Sequence, residues 1–300
     1  MRRPLAAVLP VLLLAACQTV PPAVAVPVPV TQTAVAHVGG AGADDNLNAV
    51  LWVQASAEYD AATRSLYQAA AARLADALAD PAWDALPPGT RAPGTDLASL
   101  PPAVVLDVDE TVLDNSPYQA RLVRDGGEFG AAGWAGWVEE RAARAVPGVA
   151  AFARAAGDLG ITLVYVTNRE QAMERATLDN LEALGLPTDP GTFLGRGTVV
   201  PGCEGEGSSK ACRRQLVGSR YRVLMQVGDQ LGDFVEPAEA SVAGRQAVVE
   251  RHGDWFGSRW WMLPNPTYGG WEPAVFGGDW RQPLPARRAA KRAALETADD

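Results

Sequence analysis

The chain has 300 residues, nearly half of them apolar, which is enough for one large domain or two small ones around a well-buried core. Its formal charge of −9 argues against a nucleic-acid polymer as partner. A small anionic substrate would instead need local positive charge, from a metal ion or a few fixed basic groups.

Arg2 and Arg3, followed by the apolar stretch Leu5–Leu14 with Pro10 inside it, read as a targeting signal. That run is too short to span a bilayer. It leads into Leu14-Ala15-Ala16-Cys17, which resembles a bacterial lipobox. In that reading residues 1–16 are removed and Cys17 becomes the lipidated first residue. An ordinary signal peptide or a short membrane anchor is the alternative. Gln18, rather than an aspartate, follows the cysteine, and the usual sorting rule then gives an outer-membrane lipoprotein facing the periplasm or the cell surface. Residues 17–45 are rich in proline, valine and glycine with no helical period, and read as a tether. His37 lies within it and is not expected to be catalytic. Contact with the membrane would be through the lipid alone.

From Leu47 to Leu78 the pattern is helical, with Leu51, Ala55, Tyr59, Leu66, Ala69 and Leu74 at spacings near three and four. "PAWDALPPGTRAPGTD" breaks it and Pro101-Pro102 leads to the strand "AVVL". Next come a helix in "VPGVAAFARAAGDLG", a buried strand in "ITLVYVTNR", a helix in "QAMERATLDNLEALGL", and strands in "YRVLMQVGDQLGD" and "SRWWMLPN". Short apolar strands alternating with helices predict a parallel α/β sheet covered on both faces. The first three of these strands end in "DVDET", "TNR" and "GDQLGD". Ligands bind outside the carboxyl ends of such strands, so the three clusters should converge. Residues 281–300 are expected to be an exposed tail, helical and then frayed.

Four carboxylates would then meet: Asp107, Asp109, Asp229 and Asp233. Like charges at close range raise one another's pKa unless a cation sits among them, and an all-oxygen donor set suits a hard ion such as Mg2+. Asp107 could attack phosphorus while Asp109 protonates the leaving alkoxide and later deprotonates water. A set of strand-end aspartates that merely cap helices is the bland alternative. Lys210 is one of only two lysines in an arginine-rich chain, the other being Lys291 near the end. It falls between the second and last clusters, where a compact charge could neutralise both nucleophile and phosphoryl group. Arg213 and Arg214 are the fallbacks. In an exported protein Cys203 and Cys212 form an even pair in an oxidising compartment and are expected to be bonded, with two free thiols as the alternative.

"DVDET", "VTNR", a later lysine and "GDxxxD" resemble the four motifs of the haloacid-dehalogenase superfamily. The second aspartate of the first motif points within it to a phosphatase or phosphotransferase. Three further stretches, "LDNSPY", "GWAGWVEERAARAVPG" and "MLPNPTYGGWE", are similar to the class C acid phosphatases, the bacterial lipoprotein 5′-nucleotidase family. The likeness runs from about residue 46 to 280.

It implies a Rossmann-like parallel sheet (about 101–113 and 147–280) with a smaller helical domain (about 46–80 and 114–146). It implies an Mg2+-dependent phosphomonoesterase working through an aspartyl-phosphate. The ligands would be Asp107, the Asp109 backbone carbonyl and Asp229, with Asp233 in support. Thr167 would touch a phosphoryl oxygen, Asn168 would stand beside the nucleophile, and Lys210 would head a helix. Trp134 and Tyr268 would be aromatic walls for a base or aryl leaving group, with Trp137 packing inward. Expected substrates are small phosphate monoesters, nucleoside 5′-monophosphates and aryl phosphates among them, and a homodimer is compatible with the likeness. The pH optimum should be mildly acidic, since Asp109 must carry a proton.

"RHGD" at 251–254 is reminiscent of histidine acid phosphatases, but the residues that follow do not fit and no second histidine is placed to assist. A ligand-carrying surface lipoprotein on the same fold, or a phosphotransferase, are the rival readings.

Overall fold

The computed structural model describes residues 45–203 and 207–298. Cys17, the signal and nearly all of the tether lie outside them. Residues Asp44–Asp300 form one compact unit. The chain enters through helices α1 (Leu47–Ala55) and α2 (Ala57–Ala79), then strand β1 (Pro102–Leu106). A short antiparallel pair, β2 (Leu113–Asp114) and β3 (Arg144–Ala145), brackets α3 (Ser116–Asp125) and α4 (Ala131–Glu139). Helix α5 (Val149–Asp158), β4 (Thr162–Glu170), α6 (Glu174–Ala183) and β5 (Phe193–Arg196) follow. Next are α7 (Ala211–Arg220), β6 (Arg222–Gly228), α8 (Val242–Arg251) and β7 (Trp260–Met262), and the chain closes with α9 (Trp271–Ala274) and α10 (Leu284–Ala293).

Strands β5-β4-β1-β6-β7 form one parallel sheet in that order, with β1 at its centre. Alternation along the strands supplies two apolar faces. Val104, Leu106, Leu163, Tyr165, Met225 and Val227 face α2 and α5, which contribute Tyr67, Ala70, Leu74, Phe152 and Ala156. Ala103, Val105, Val164, Val166 and Val223 face Val217 of α7 and the Ala85–Leu86 turn. Each such Val or Leu contributes about 1.5–3 kcal/mol by leaving water, so the central strands cannot slide without loss.

The long helix predicted over Leu47–Leu78 is two helices. Ser56 ends α1 and caps α2, its hydroxyl accepting from the Tyr59 amide at 3.0 Å, while Glu58 and Asp60 favour the same N-terminus. The break resets the helical phase. The buried stripe of α2 is Tyr59, Thr63, Tyr67, Ala70, Leu74 and Ala77, whereas Leu51, Ala55 and Ala69 are exposed. The two helices also divide their work: α1 lies against α3, and α2 packs on α5 and the sheet. Strand β5 was not expected, because four residues with a glycine carry no readable alternation. The C-terminal segment is mostly exposed but docked, with buried Arg287 paired to Glu128 at 2.6 Å and Lys291 to Glu272 at 2.5 Å. Among the described residues no helix is long and apolar enough to cross a membrane.

Candidate active site

The carboxyl ends of β1, β4 and β6 come together, as open parallel sheets require. Asp107 follows directly on β1, and its amide donates to the Val227 carbonyl at 2.9 Å, which fixes the first motif to β6. Asp229 follows on β6, and Asp233 closes a single 3-10 turn behind it. Gly228 is needed there: a Cβ at that position would overlap the Asp233 side chain, which folds back over the strand end. Lys210 stands immediately before α7, at its N-cap. The Cys203–Cys212 disulfide, Cα atoms 5.9 Å apart, ties the first turn of α7 to the segment leading into Lys210.

These pieces make a buried nest. The Lys210 ammonium bonds Asp107 Oδ1 and lies 2.7 Å from Asp233 Oδ1. The other Asp233 oxygen accepts from the Gln230 amide at 2.8 Å, and Asp229 Oδ2 accepts from Gln230 Nε2 and Asn265 Nδ2, both at 2.8 Å. Two oxygens are then left, Asp107 Oδ2 and Asp229 Oδ1. Among the described residues their one donor is the Thr111 hydroxyl, 3.4 Å from each, and a single hydroxyl proton cannot serve both.

The charges do not balance, since three buried carboxylates face one ammonium. Burial pushes Asp107 well above the usual carboxylate range; Lys210 opposes this, while Asp233, Asp229 and Asp109 add to it. Asp229 is pushed up to about 7, first by burial and then by Asp233, against the hydrogen bonds from Asn265 and Gln230. Burial pulls the Lys210 ammonium down, yet Asp107 and Asp233 outweigh it and leave it above the ordinary lysine value. Asp107, Asp229 and Asp233 can each offer an oxygen within 4.8 Å of the others, so the residues present can hold a metal ion. The hard, all-oxygen donor set and the two under-served oxygens fit a divalent cation.

Asp109 does not join this nest. Its Oδ1 accepts from Arg169 Nε and Asn115 Nδ2, both at 2.9 Å, and lies 2.8 Å from Arg169 Nη2 as an ion pair. The sequence placed four carboxylates together; three are together and the fourth has its own arginine. Its partners are the reason: the buried Arg169 guanidinium and the Asn115 amide hold the Asp109 carboxyl, while Glu110 takes a left-handed conformation, φ 57°, that turns the chain after it. The buried Glu110 carboxyl is pushed up to about 8, by burial and then Asp109, against hydrogen bonds from Tyr268 and Asn115.

The remaining predicted residues are placed as follows. Thr167 is buried, and its hydroxyl accepts from the Arg169 amide at 3.1 Å. Asn168 is exposed, with its Oδ1 held by Arg213 Nη2 at 2.9 Å and no contact to Asp107. Arg213 also donates to the Thr167 carbonyl, so it braces the β4 end rather than replacing Lys210. Trp137 packs inward and donates to Asn115 Oδ1 at 2.8 Å. Trp134 is half-buried under the Arg169 guanidinium, 5.5 Å from its centroid, and meets Tyr118 edge-on. Tyr268 donates its hydroxyl to Glu110. Trp134 therefore stands one side chain away from Asp109, and Tyr268 is linked to it through Glu110 and Asn115. Sequence reasoning assigned nothing to Glu110, Thr111, Asn115, Arg169, Gln230 or Asn265. All lie in or beside quoted motifs, but their partners are distant in the chain.

The model of subfamily IIIB of the HAD superfamily, described as acid phosphatase, matches residues 27–271. The chain belongs to this family. Among solved structures it is similar to the class C acid phosphatase from Bacillus anthracis, at 30% identity over 85% of this chain and 98% of that one, with a TM-score of 0.72. The same values hold for the Bacillus anthracis enzyme with tungstate bound. The protein is thus an acid phosphatase, a phosphomonoesterase, on a parallel five-stranded α/β fold. In this phosphatase the buried aspartate nest is where a metal would sit, and the held Asp109 lies at its border.

Proposed function

We propose that this acid phosphatase uses Mg2+ and hydrolyses phosphate monoesters through a phosphorylated Asp107. The observation that carries the reading is the division of the Asp107 carboxylate. One oxygen is bonded to Lys210, and the other turns toward Asp229 Oδ1 across the Thr111 hydroxyl. Asp107 Oδ2, Asp229 Oδ1 and the Asp109 backbone carbonyl would hold the ion, with Asp233 fixing Lys210. When bound, the ion offsets repulsion between the anionic substrate and the anionic nucleophile. Lys210 adds a second fixed positive charge against the phosphoryl oxygens. Thr167 and Asn168 line the neighbouring strand end, and Asp109 carries the proton for the leaving oxygen. The related Bacillus anthracis enzyme has been solved with tungstate, a tetrahedral oxyanion shaped like phosphate, which supports a site for that geometry.

Trp134 and Tyr268 would favour esters with a flat leaving group, nucleoside 5′-monophosphates and aryl phosphates, because every ring offers a face for stacking. The same proposal keeps Cys17 as a lipid anchor to the outer membrane. A Cys17→Ser change should release the protein from the membrane fraction, and unchanged membrane association would remove that part.

The test uses the soluble chain from about residue 45 on 5′- and 3′-nucleotides, nicotinamide mononucleotide, an aryl phosphate and a sugar phosphate, with and without Mg2+. Release that requires the ion and favours 5′-nucleotides and aryl esters is expected. Trp134→Ala should raise KM for those esters by roughly tenfold, the equivalent of about 1–3 kcal/mol of stacking, and leave the sugar phosphate alone. Metal-dependent release without that preference would remove the two rings from substrate binding. Full activity in chelator would remove the ion.

A further inference from the structure

We propose that Arg169 is a positioning residue for proton transfer: it fixes the Asp109 carboxyl so that its Oδ2, and not Oδ1, exchanges the proton with the ester oxygen. The inference rests on Asp109 being the general acid. Two N–H donors, Arg169 Nε and Asn115 Nδ2, converge on Asp109 Oδ1, each at 2.9 Å, and the Arg169 Nη2 nitrogen makes an ion-pair contact with the same oxygen at 2.8 Å. Two such bonds occupy both lone pairs of the oxygen and leave no place on it for a proton. Among the described residues no donor reaches Oδ2, so that oxygen is the one available to the substrate.

The arginine is itself held on all sides. It is 2% exposed, its Nη1 donates to Thr177 Oγ1 at 3.1 Å, and its Nη2 reaches Asn115 Oδ1 at 3.3 Å. Its guanidinium lies over the Trp134 ring. The orientation of the Asn115 amide follows from its neighbours. Trp137 Nε1 and Arg169 donate to its oxygen, so its nitrogen must face the Asp109 and Glu110 carboxyls. A guanidinium held by Thr177, Asn115 and the Trp134 ring fixes the place of the one oxygen it grips, and with the other end of the side chain anchored at Cα this limits where Oδ2 can point. Burying an arginine this completely is costly, and one half-buried aspartate partner would not require it.

In the first step an Asp107 oxygen lone pair forms the bond to phosphorus. The phosphorus–ester oxygen bond breaks with its electron pair going to that oxygen, and the proton on Asp109 Oδ2 follows, so the alcohol leaves neutral. In the second step water bonds to phosphorus, its proton returns to Oδ2, and the bond from phosphorus to Asp107 breaks. Both transfers use the same oxygen in the same place, which a freely rotating carboxyl would not guarantee.

Leaving-group dependence tests this, because protonation matters for a poor leaving group and hardly at all for a good one. The probes are p-nitrophenyl phosphate, phenyl phosphate and a simple alkyl phosphate, assayed as kcat/KM at saturating Mg2+. Arg169→Lys keeps the charge but not the fork. It should cost roughly 30-fold or more on the alkyl ester and less than about threefold on the nitrophenyl ester, within the range general acids supply. Asp109→Asn should show the same slope more steeply, and adding Arg169→Lys to it should not steepen it further. If Arg169→Lys does not fold, Thr177→Val removes the Nη1 partner and a local bond to the Met173 carbonyl while leaving the Arg169–Asp109 contact, and should give a slope of the same sign, about threefold on the alkyl ester. An equal loss on all three probes, with Asp109→Asn still steep, would make Arg169 structural only and overturn the inference. A flat Asp109→Asn profile would instead overturn the general-acid reading beneath it.

Discussion

The two aspartates of "DVDET" sit two residues apart and have opposite surroundings. Asp107 shares its buried nest with two more carboxylates and a single lysine, and two of the six oxygens there have only one distant hydroxyl between them. Asp109 is paired with a buried arginine, and among the described residues all the donors that reach it fall on one oxygen. The first region is short of positive charge and must take up protons or accept a cation. The second is satisfied from within and leaves one oxygen open. One residue type can therefore serve as nucleophile or as proton carrier, according to which partners reach it and at which atom.

Removing the proposed nucleophile should have the largest effect. Asp107→Asn is expected to cut turnover on the order of 10⁴-fold or more with every ester, since it acts as part of a unit. The metal-free protein should not be destabilised, because one uncompensated buried charge is gone. A thermal melt with and without chelator, beside the assay, checks both halves. A folded variant with appreciable activity would break the contrast between the two aspartates.

Next in size is the loss of either cation. Lys210→Met leaves three buried carboxylates facing one another and should cost about 3–5 kcal/mol in metal-free denaturant unfolding, less when Mg2+ is present. Arg169→Met strands one carboxylate that is partly open to water, so its cost should be smaller and indifferent to Mg2+. Equal costs, or equal responses to the ion, would mean that the two regions do not differ in charge balance.

The smallest expected effect is on pH dependence. Asp229 is raised from 3.8 in the unfolded chain to about 7 in the fold, so the native state holds the extra proton. Its contribution to stability is complete below about pH 4 and is lost as pH rises through about 7. Metal-free protein should therefore lose stability over that window. Mg2+ should displace protons on binding below pH 7, measurable by titration calorimetry in buffers of different ionisation enthalpy. Stability rising with pH in the absence of metal would reverse the sign and contradict the reading of the nest.

Much of this was legible in the sequence, because strand ends announce themselves. "AVVLDVDET" and "VLMQVGDQLGD" each show an apolar run stopped by acid, and parallel topology does the rest. Lys210 stood out through composition. Arg169 and Asn115 did not, although both lie inside quoted motifs. Their meaning depends on contacts 60 and 6 residues away in the chain, one of them across the sheet, and no spacing rule encodes that. Glu110 was hidden for another reason, since neither its left-handed backbone nor its bonds to Asn115 and Tyr268 can be read from spacing. The phase of α2 was lost to a single serine that restarts the helix.

The most direct test of the central claim is to trap the intermediate. The enzyme would be mixed with Mg2+ and an aryl phosphate, quenched rapidly, reduced with borohydride and digested for peptide mass spectrometry. An acyl phosphate at Asp107 would be converted to homoserine at that position, dependent on both substrate and ion, and absent from Asp107→Asn. Homoserine in place of Asp109 or Asp229, or alcohol and phosphate released in step with nothing trapped at any quench time, would contradict the account.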